Sequence, residues 1–284
     1  MKLLFNFFMI FLLPVFCMGQ DFYDQAQDEV EQRNYTQAEI NIIKHLQTHS
    51  QDLKAQALLG EIYAYQKAWE KSSKINKQLI KADRDNADYH YRYGGTLGLW
   101  AKNTSKFQAL FLLDDVKHHL KRATELDPKH IDSRWALVQL YMELPGIIGG
   151  SRSVAEKYAK QLQEISPVDG MMAFGFIEVY DENFDKAEAY YLKAVQIGKS
   201  ATTYQKLIDL YQQTEQKEQY LLTLLDAYNQ TDRSQFLTQF LEEEIQAFRM
   251  TDALKAKLIK RIDASGQQEH SQNINRLRRK IDSF

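Results

Sequence analysis

A repeat period of about 34 residues is the feature that most constrains how this chain folds. Gly60 and Gly94 are one such period apart, and each follows a large side chain. Two further pairs share the spacing, one aromatic and one small: Tyr35 with Trp69, and Ala38 with Ser72. A fixed period of this length is typical of stacked structural units, none of which can bury its apolar face alone.

The residues within one period match a known repeat. The segment Leu58–Tyr63 carries Leu-Gly followed by a tyrosine three positions later, and an aromatic and a small residue follow in a second helix. This pattern resembles the tetratricopeptide repeat (TPR). The resemblance implies an all-α solenoid of helical hairpins, wound as a right-handed superhelix, with a concave groove lined by the first helices.

We predict a leader over residues 1–19, about six repeats over 20–231 and C-terminal capping helices over 232–284. Repeats three and four close at Pro128 and Pro167, the usual end of a second helix. The sixth repeat is the least regular, because Tyr220 stands where a small residue is expected. After it, apolar residues continue at helical spacing and predict the cap: Phe236, Leu237, Phe240, Leu241, Ile245 and Phe248.

Two repeats are longer than the period. In repeat two, nine residues lead from Tyr63 in the first helix to the small residue of the second helix, Ser72. The corresponding number is 19 in repeat three, from Leu97 to Val116, and 14 in repeat four, from Tyr141 to Ala155. We place the extra residues between the two helices of each hairpin. Turns of neighbouring hairpins share one edge of a solenoid, so the insertions are expected to touch.

These insertions supply one candidate binding surface, the insertion edge. Its candidate partner-binding residues are apolar: Trp100, Phe107, Ile147 and Ile148. An expanded repeat with a Pro-Gly…Gly-Gly turn is similar to one subgroup of TPR proteins in Gram-negative cell envelopes. Two alternatives stay open, namely that the insertions bind a partner or that they pack on each other and stiffen the solenoid.

The concave groove supplies a second candidate surface. Projecting the first helices inward places five residues of repeats three to five on its wall: Tyr91, Trp135, Gln139, Met172 and Phe176. Aromatic and methionine side chains are enriched at protein interfaces. TPRs that clamp the C-terminal carboxylate of chaperones use Lys and Asn at these positions, so that activity is not expected here. If the register is off by one, the same side chains belong to the core between helices.

Residues 1–19 have the layout of a secretory signal peptide. Lys2 precedes a mostly apolar run over 3–16, and the small residues Cys17 and Gly19 precede Gln20. We expect cleavage between Gly19 and Gln20 and a periplasmic or secreted protein without an integral membrane span. Cys17 is the only cysteine, so the mature chain would contain no thiol and no disulfide.

No motif predicts catalysis or a bound metal. Residues 94–98 resemble a phosphate-binding loop, but they fall inside a predicted helix with no preceding strand. His45 and His49 are four residues apart but lack a third ligand, and we expect both to face solvent. The formal net charge of −2 creates no general attraction for nucleic acid.

The sequence therefore predicts a non-catalytic scaffold that binds a protein or peptide, with no cofactor, no metal and no nucleic acid, and it leaves the oligomeric state open. The alternative is an accessory domain with a small-ligand or enzyme-like pocket at the insertion edge. The basic stretch over 255–284, with a local net charge of +5, is expected to be the polar face of the cap. A contact with an anionic membrane or an acidic partner is the alternative for that stretch.

Overall fold

The computed structural model describes residues 21–246, which contain thirteen α-helices, one 3-10 helix (Gly146–Ile148) and no β-strand. The predicted all-α helical-repeat architecture is thereby confirmed. The predicted leader, the basic stretch over 255–284 and the end of the predicted cap lie outside the described residues. The helices are α1 (Phe22–Glu31), α2 (Tyr35–Thr48), α3 (Leu53–Tyr65), α4 (Trp69–Ala82), α5 (Ala87–Lys102), α6 (Lys106–Leu126), α7 (Ile131–Glu143), α8 (Arg152–Ile165), α9 (Pro167–Tyr180), α10 (Phe184–Gly198), α11 (Ala201–Gln213), α12 (Lys217–Thr231) and α13 (Ser234–Gln246).

The helices follow one another as first and second helices of six hairpins, and α13 comes after the sixth. The chain divides into two compact units, one ending at Val116 and the other starting at Lys117, so the boundary falls inside α6. In the first unit, α3 contacts both α1 and α5 as well as its own second helix. In the second unit, α9 likewise contacts α7 and α11. Neighbouring first helices therefore lie side by side within each unit.

Side-chain caps explain where the first helices begin. Asp52 accepts hydrogen bonds from the backbone N–H groups of Lys54 (2.9 Å) and Ala55 (3.1 Å) at the start of α3. Asn86, Ser166 and Ser200 cap α5, α9 and α11 in the same way. Such caps satisfy backbone donors that the first turn of a helix leaves without partners.

Four hairpin turns share one backbone geometry. Each contains a left-handed residue with φ between 57° and 60°: Arg33, Lys67, Glu182 and Glu215. The N–H of the next residue donates to a carbonyl five positions earlier, as Ala68 does to Tyr63 at 2.8 Å. Because residues with a Cβ atom adopt this conformation only at a cost, glycine would be the usual signal for it. None of the four positions carries glycine, so the sequence gives no such signal.

Close contacts hold α9 between its two neighbours. A Cβ atom at Gly170 would lie 2.3 Å from Gln163 Cα in α8, and one at Gly175 would lie 2.3 Å from the Tyr191 ring in α10. The repeat glycine Gly60 is also tightly packed, since a Cβ there would lie 3.1 Å from Asn76 Oδ1. Small residues in these places allow the helices to approach closely.

The end of the second unit is a well-packed apolar cluster. Tyr220 of α12 is buried in it, which explains how an aromatic residue replaces the expected small one in repeat six. Four side chains of α13 complete the cluster: Phe236, Leu237, Phe240 and Leu241. The described part of the predicted cap therefore covers the apolar face of α12.

The predicted position of the first insertion is wrong. Only residues 103–105 separate α5 from α6, and the additional residues lengthen the helices themselves to 16 and 21 residues, against 13 and 14 in α3 and α4. The physical reason is that the segment contains no proline and no glycine after Gly98 until Pro128, so no helix breaker ends α5 early or delays the start of α6, and both helices extend to the short turn at 103–105.

The second insertion does lie between two helices, over residues 144–151. The N–H of Ser151 donates to the carbonyl of Tyr141 at 2.8 Å. Tyr141 occupies the same repeat position as Tyr63, so the hydrogen bond of the regular turns is retained and the inserted residues bulge out from it. Gly149 has φ of 97°, which favours glycine, and a Cβ at Gly150 would lie 1.7 Å from the Leu144 carbonyl oxygen, which makes glycine necessary there.

Candidate partner-binding surfaces

A partly exposed row of side chains crosses from α7 to α9. The indole Nε1–H of Trp135 in α7 donates to Asp169 Oδ1 in α9 at 2.9 Å. Asp169 is held in turn by the Ser166 hydroxyl, which donates to its other carboxylate oxygen at 2.6 Å. Trp135 is half-buried, and its side chain thus joins the first helices of repeats four and five.

On α9 the row continues from Asp169 at steps of three and four residues, which keeps it on one face of the helix. Met172, Phe176 and Tyr180 follow Asp169 at these steps, but Met172 is buried and only Phe176 and Tyr180 reach the surface. The Phe176 and Tyr180 rings lie 6.2 Å apart, and Tyr180 is 47% exposed. We call Trp135, Gln139, Asp169, Phe176 and Tyr180 the α7–α9 surface.

The structure places the predicted groove residues differently from one another. Trp135 and Phe176 are half-buried and Gln139 is exposed. Met172 is only 8% exposed, so we correct its assignment: it packs inside the second unit and offers almost no surface to a partner. Tyr91 lies half-buried on α5 in the first unit. The role of these residues in binding stays a prediction.

Sequence reasoning missed two members of this surface. Asp169 lies one helical turn before Met172, and Tyr180 lies one helical turn after Phe176. Helical spacing from the predicted groove residues is therefore the signal that points to both.

An ion cluster fixes the far end of α9. The Arg152 guanidinium donates to Glu156 (2.8 Å), to the buried Glu178 (2.7 Å) and to Asp181. Asn183 also donates to Glu178, at 2.9 Å. Burial alone would lower the pKa of Arg152, but the three carboxylates outweigh it and raise that pKa above its usual value. With Gly170 packed on α8 at its beginning, α9 is held firmly at both ends.

The predicted insertion-edge residues fall in both units. In the first unit, Trp100 is half-buried near the end of α5, and Phe107 is 70% exposed on the first turn of α6. In the second unit, Ile147 is almost fully exposed and Ile148 is half-buried. Also within the second unit, the Lys117 ammonium of α6 donates to the Ile148 carbonyl at 3.0 Å and holds the second insertion against that helix.

The chain is similar in structure to TPR proteins. It matches a TPR protein of Thermus thermophilus with a TM-score of 0.56 at 17% sequence identity, over 72% of this chain and 98% of that one. The fold is that of a TPR protein. A TPR protein of Parabacteroides merdae matches with a TM-score of 0.50 at 12% identity, over 92% of this chain and 97% of that one. At these identities the likeness concerns the fold alone. No protein-family model and no curated protein matches the sequence.

In this TPR fold, the expectation that His45 faces solvent is wrong. The imidazole is buried near the end of α2, where Nδ1 lies 2.9 Å from Asp21 Oδ1 and Nε2 lies 3.0 Å from Asp52 Oδ2. Burial lowers the pKa of His45, but the hydrogen bonds to the two carboxylates outweigh it, and the pKa lies above its usual value. Since Asp21 caps α1 and Asp52 caps α3, one imidazolium ties the starts of two first helices together.

Two further features are absent from the described TPR helices. Among residues 21–246, no three His, Cys, Asp or Glu side chains lie close enough together to hold a metal ion. No helix in that same range is both long enough and apolar enough to span a membrane.

Proposed function

We propose that this protein is a non-catalytic scaffold that binds a peptide or protein segment on the α7–α9 surface. The observation that carries the proposal is the row of partly exposed aromatic side chains that starts at the Trp135–Asp169 hydrogen bond and ends at Tyr180. Tryptophan and tyrosine are the residues that most often dominate binding energy at interfaces. Their helices are fixed beforehand, so little conformational entropy is lost when a partner binds.

The charges around this surface favour a particular partner. α9 contains no lysine and no arginine, and its first turn carries Asp169. On α7 the exposed Asp132 and the half-buried Glu143 add negative charge, while Arg134 is buried and donates to Gln161 and to the His130 carbonyl. We therefore expect a partner segment with apolar or aromatic side chains flanked by Lys or Arg, because an acidic segment would be repelled.

Peptide selection tests this proposal. Peptides selected from a random displayed library against the full chain should be rich in aromatic and basic residues. Their affinity should fall at least ~10-fold for Tyr180→Ala, which removes an exposed side chain and leaves the core intact. Leu222→Ala is the matched control, because Leu222 is 60% exposed on α12, and it should change affinity less than about twofold. Selected peptides that bind both variants equally would refute the α7–α9 surface as the site.

We further propose that the scaffold works outside the cytoplasm. The support is the sequence pattern over residues 1–19, with a charged start, an apolar run and small residues before Gln20. The intact mass of the protein isolated from its native cell should correspond to a chain beginning at Gln20. A mass that includes residues 1–19, or a lipid on Cys17, would contradict this proposal.

A further inference from the structure

The first two turns of α6 present an apolar stripe to solvent. Phe107, Leu110 and Phe111 are 70%, 48% and 71% exposed, and the two phenylalanine rings meet edge to face at 4.9 Å. In the same unit, the buried side of the helix is marked by Leu113 and Val116. At 3.6 residues per turn the two sets point about 150° apart. The stripe therefore plays no part in the core of its own unit.

The stripe lies at the end of the α5–α6 hairpin, within a stretch of the chain that has no acidic residue. From Tyr89 to Leu113 the chain contains no Asp or Glu, although 38 such residues occur among 284, so about three would be expected in a stretch of this length. Lys102 ends α5 and Lys106 begins α6, so both lysines lie at the tip next to Phe107. The tip thus combines exposed aromatic rings with positive charge.

The size of the stripe indicates what kind of surface it fits. Two phenylalanines bury roughly 150–250 Å² each, and a leucine adds less. A specific protein interface needs about 800 Å² from each partner, so the stripe is too small to hold a second copy or a protein partner alone. A lipid interface requires less, because aromatic side chains enter the boundary between headgroups and acyl chains while nearby lysines attract anionic headgroups. The tip matches this combination.

We propose that the tip of the α5–α6 hairpin docks onto an anionic lipid surface. Phe107, Leu110 and Phe111 enter the headgroup boundary, and the ammonium groups of Lys106 and Lys102 meet lipid phosphates, their aliphatic stems lying along the boundary. Asp114 is exposed on the same side of α6 one turn further on. Because its carboxylate is repelled by anionic headgroups, only the first turns of α6 enter the lipid surface. This surface is separate in sequence from the α7–α9 surface, and the two proposals stand or fall independently.

A local fluorescence probe tests the proposal on the full chain. In a Cys17→Ser background, Leu110→Cys is labelled with a nitrobenzoxadiazole fluorophore, and Ile197→Cys, at a half-exposed apolar site on α10, is the matched control. With vesicles of phosphatidylcholine and phosphatidylglycerol, the label at 110 should shift to shorter wavelength and be quenched by brominated lipids. The label at 197 should do neither. Adding Lys106→Glu should weaken the response at least ~3-fold at low salt, because one attraction to the anionic surface becomes a repulsion.

Three outcomes would overturn the proposal. The first is that both labels respond alike, since residues 1–20 and 255–284 are the same in both proteins and could bring the chain to vesicles without the tip. The second is that the label at 110 responds equally to vesicles of phosphatidylcholine alone and is insensitive to Lys106→Glu. The third is a response at 110 that depends on protein concentration without vesicles, which would show that a second copy covers the stripe.

Discussion

Replacing Gly170 with alanine tests the close contact that positions the α7–α9 surface. The new Cβ atom would lie 2.3 Å from Gln163 Cα, 2.4 Å from its Cβ and 2.7 Å from its backbone nitrogen. Comfortable carbon contacts are about 3.5–4.0 Å, so α8 and α9 would have to separate by more than ~1 Å. The obstructing atoms are mainly backbone and cannot rotate away as a side chain could.

The expected change in stability is the sum of two opposing effects. Overpacking of this kind costs about 1–3 kcal/mol or somewhat more, while alanine in place of glycine favours the helix by up to about 1 kcal/mol. Because the contact is with backbone, we expect an overpacking cost near the upper end of this range and a net decrease of about 2 kcal/mol in the free energy of unfolding. In a chain of this size that lowers the melting temperature by roughly 4–8 °C.

Gly95→Ala is the matched control for this change. Gly95 lies in the interior of α5, and a Cβ there would meet nothing within 4 Å. The control should therefore raise stability by about 0.5–1 kcal/mol through helix propensity alone. Circular dichroism during thermal and urea unfolding measures both variants. A Gly170→Ala protein as stable as the parent would refute the close approach of α8 and α9.

Two further predictions concern the charged clusters. Asp21 and Asp52 raise the pKa of His45, so the stabilisation of the fold by the charged imidazole is full below about pH 6.5, the usual histidine pKa, and is lost as pH rises through the folded-state pKa. The melting temperature of His45→Gln should therefore be a few degrees below that of the parent near pH 5.5 and approach it by pH 9. An equal difference at both pH values would refute the imidazolium bridge. Arg152→Gln should lower the free energy of urea unfolding by about 1–2 kcal/mol, a modest amount because Arg152 is partly exposed. Adding Glu178→Gln should recover part of that loss, because the buried carboxylate then no longer lacks its partner. Additive losses would mean that the buried carboxylate does not depend on the arginine.

Much of the fold could be predicted because the information lies in local patterns that recur. The repeat spacing of Gly60 and Gly94 placed the first helices, and the spacing to Pro167 placed the end of α8 to within a few residues. Helix caps such as Asp52 and Ser151 are also local, since they bind backbone groups two or three residues away. Such features depend on neighbours in the chain, which a sequence displays directly.

The features that were mispredicted depend on partners distant in sequence or on competing local preferences. His45 is buried because Asp21, 24 residues earlier, and Asp52 meet it across helix ends, and no spacing rule shows that. The residues of the first insertion could form either a loop or longer helices. They form longer helices because the segment contains no glycine or proline that would break them. The left-handed turns at Lys67 and Glu215 are set by the packing of the hairpin, which overrides the preference for glycine.

The α7–α9 surface was predictable in part for the same reason. Trp135 and Phe176 were found by their repeat positions. Whether Met172 is open or buried depends on what the neighbouring helices place over it, and its position in the sequence does not show that. A projection from sequence gives the direction of a side chain but not what covers it.

The most direct test of the central claim is position-specific photo-crosslinking in the native cell. A photoreactive phenylalanine analogue replaces Tyr180 on the α7–α9 surface or, as the control, Leu222 on α12, both of which are about half exposed or more. Irradiation should yield a discrete protein or peptide adduct from position 180, mapping to a segment with apolar and basic residues, and no such adduct from position 222. The same adducts from both positions, or an adduct only from position 222, would contradict a scaffold that binds its partner on the α7–α9 surface.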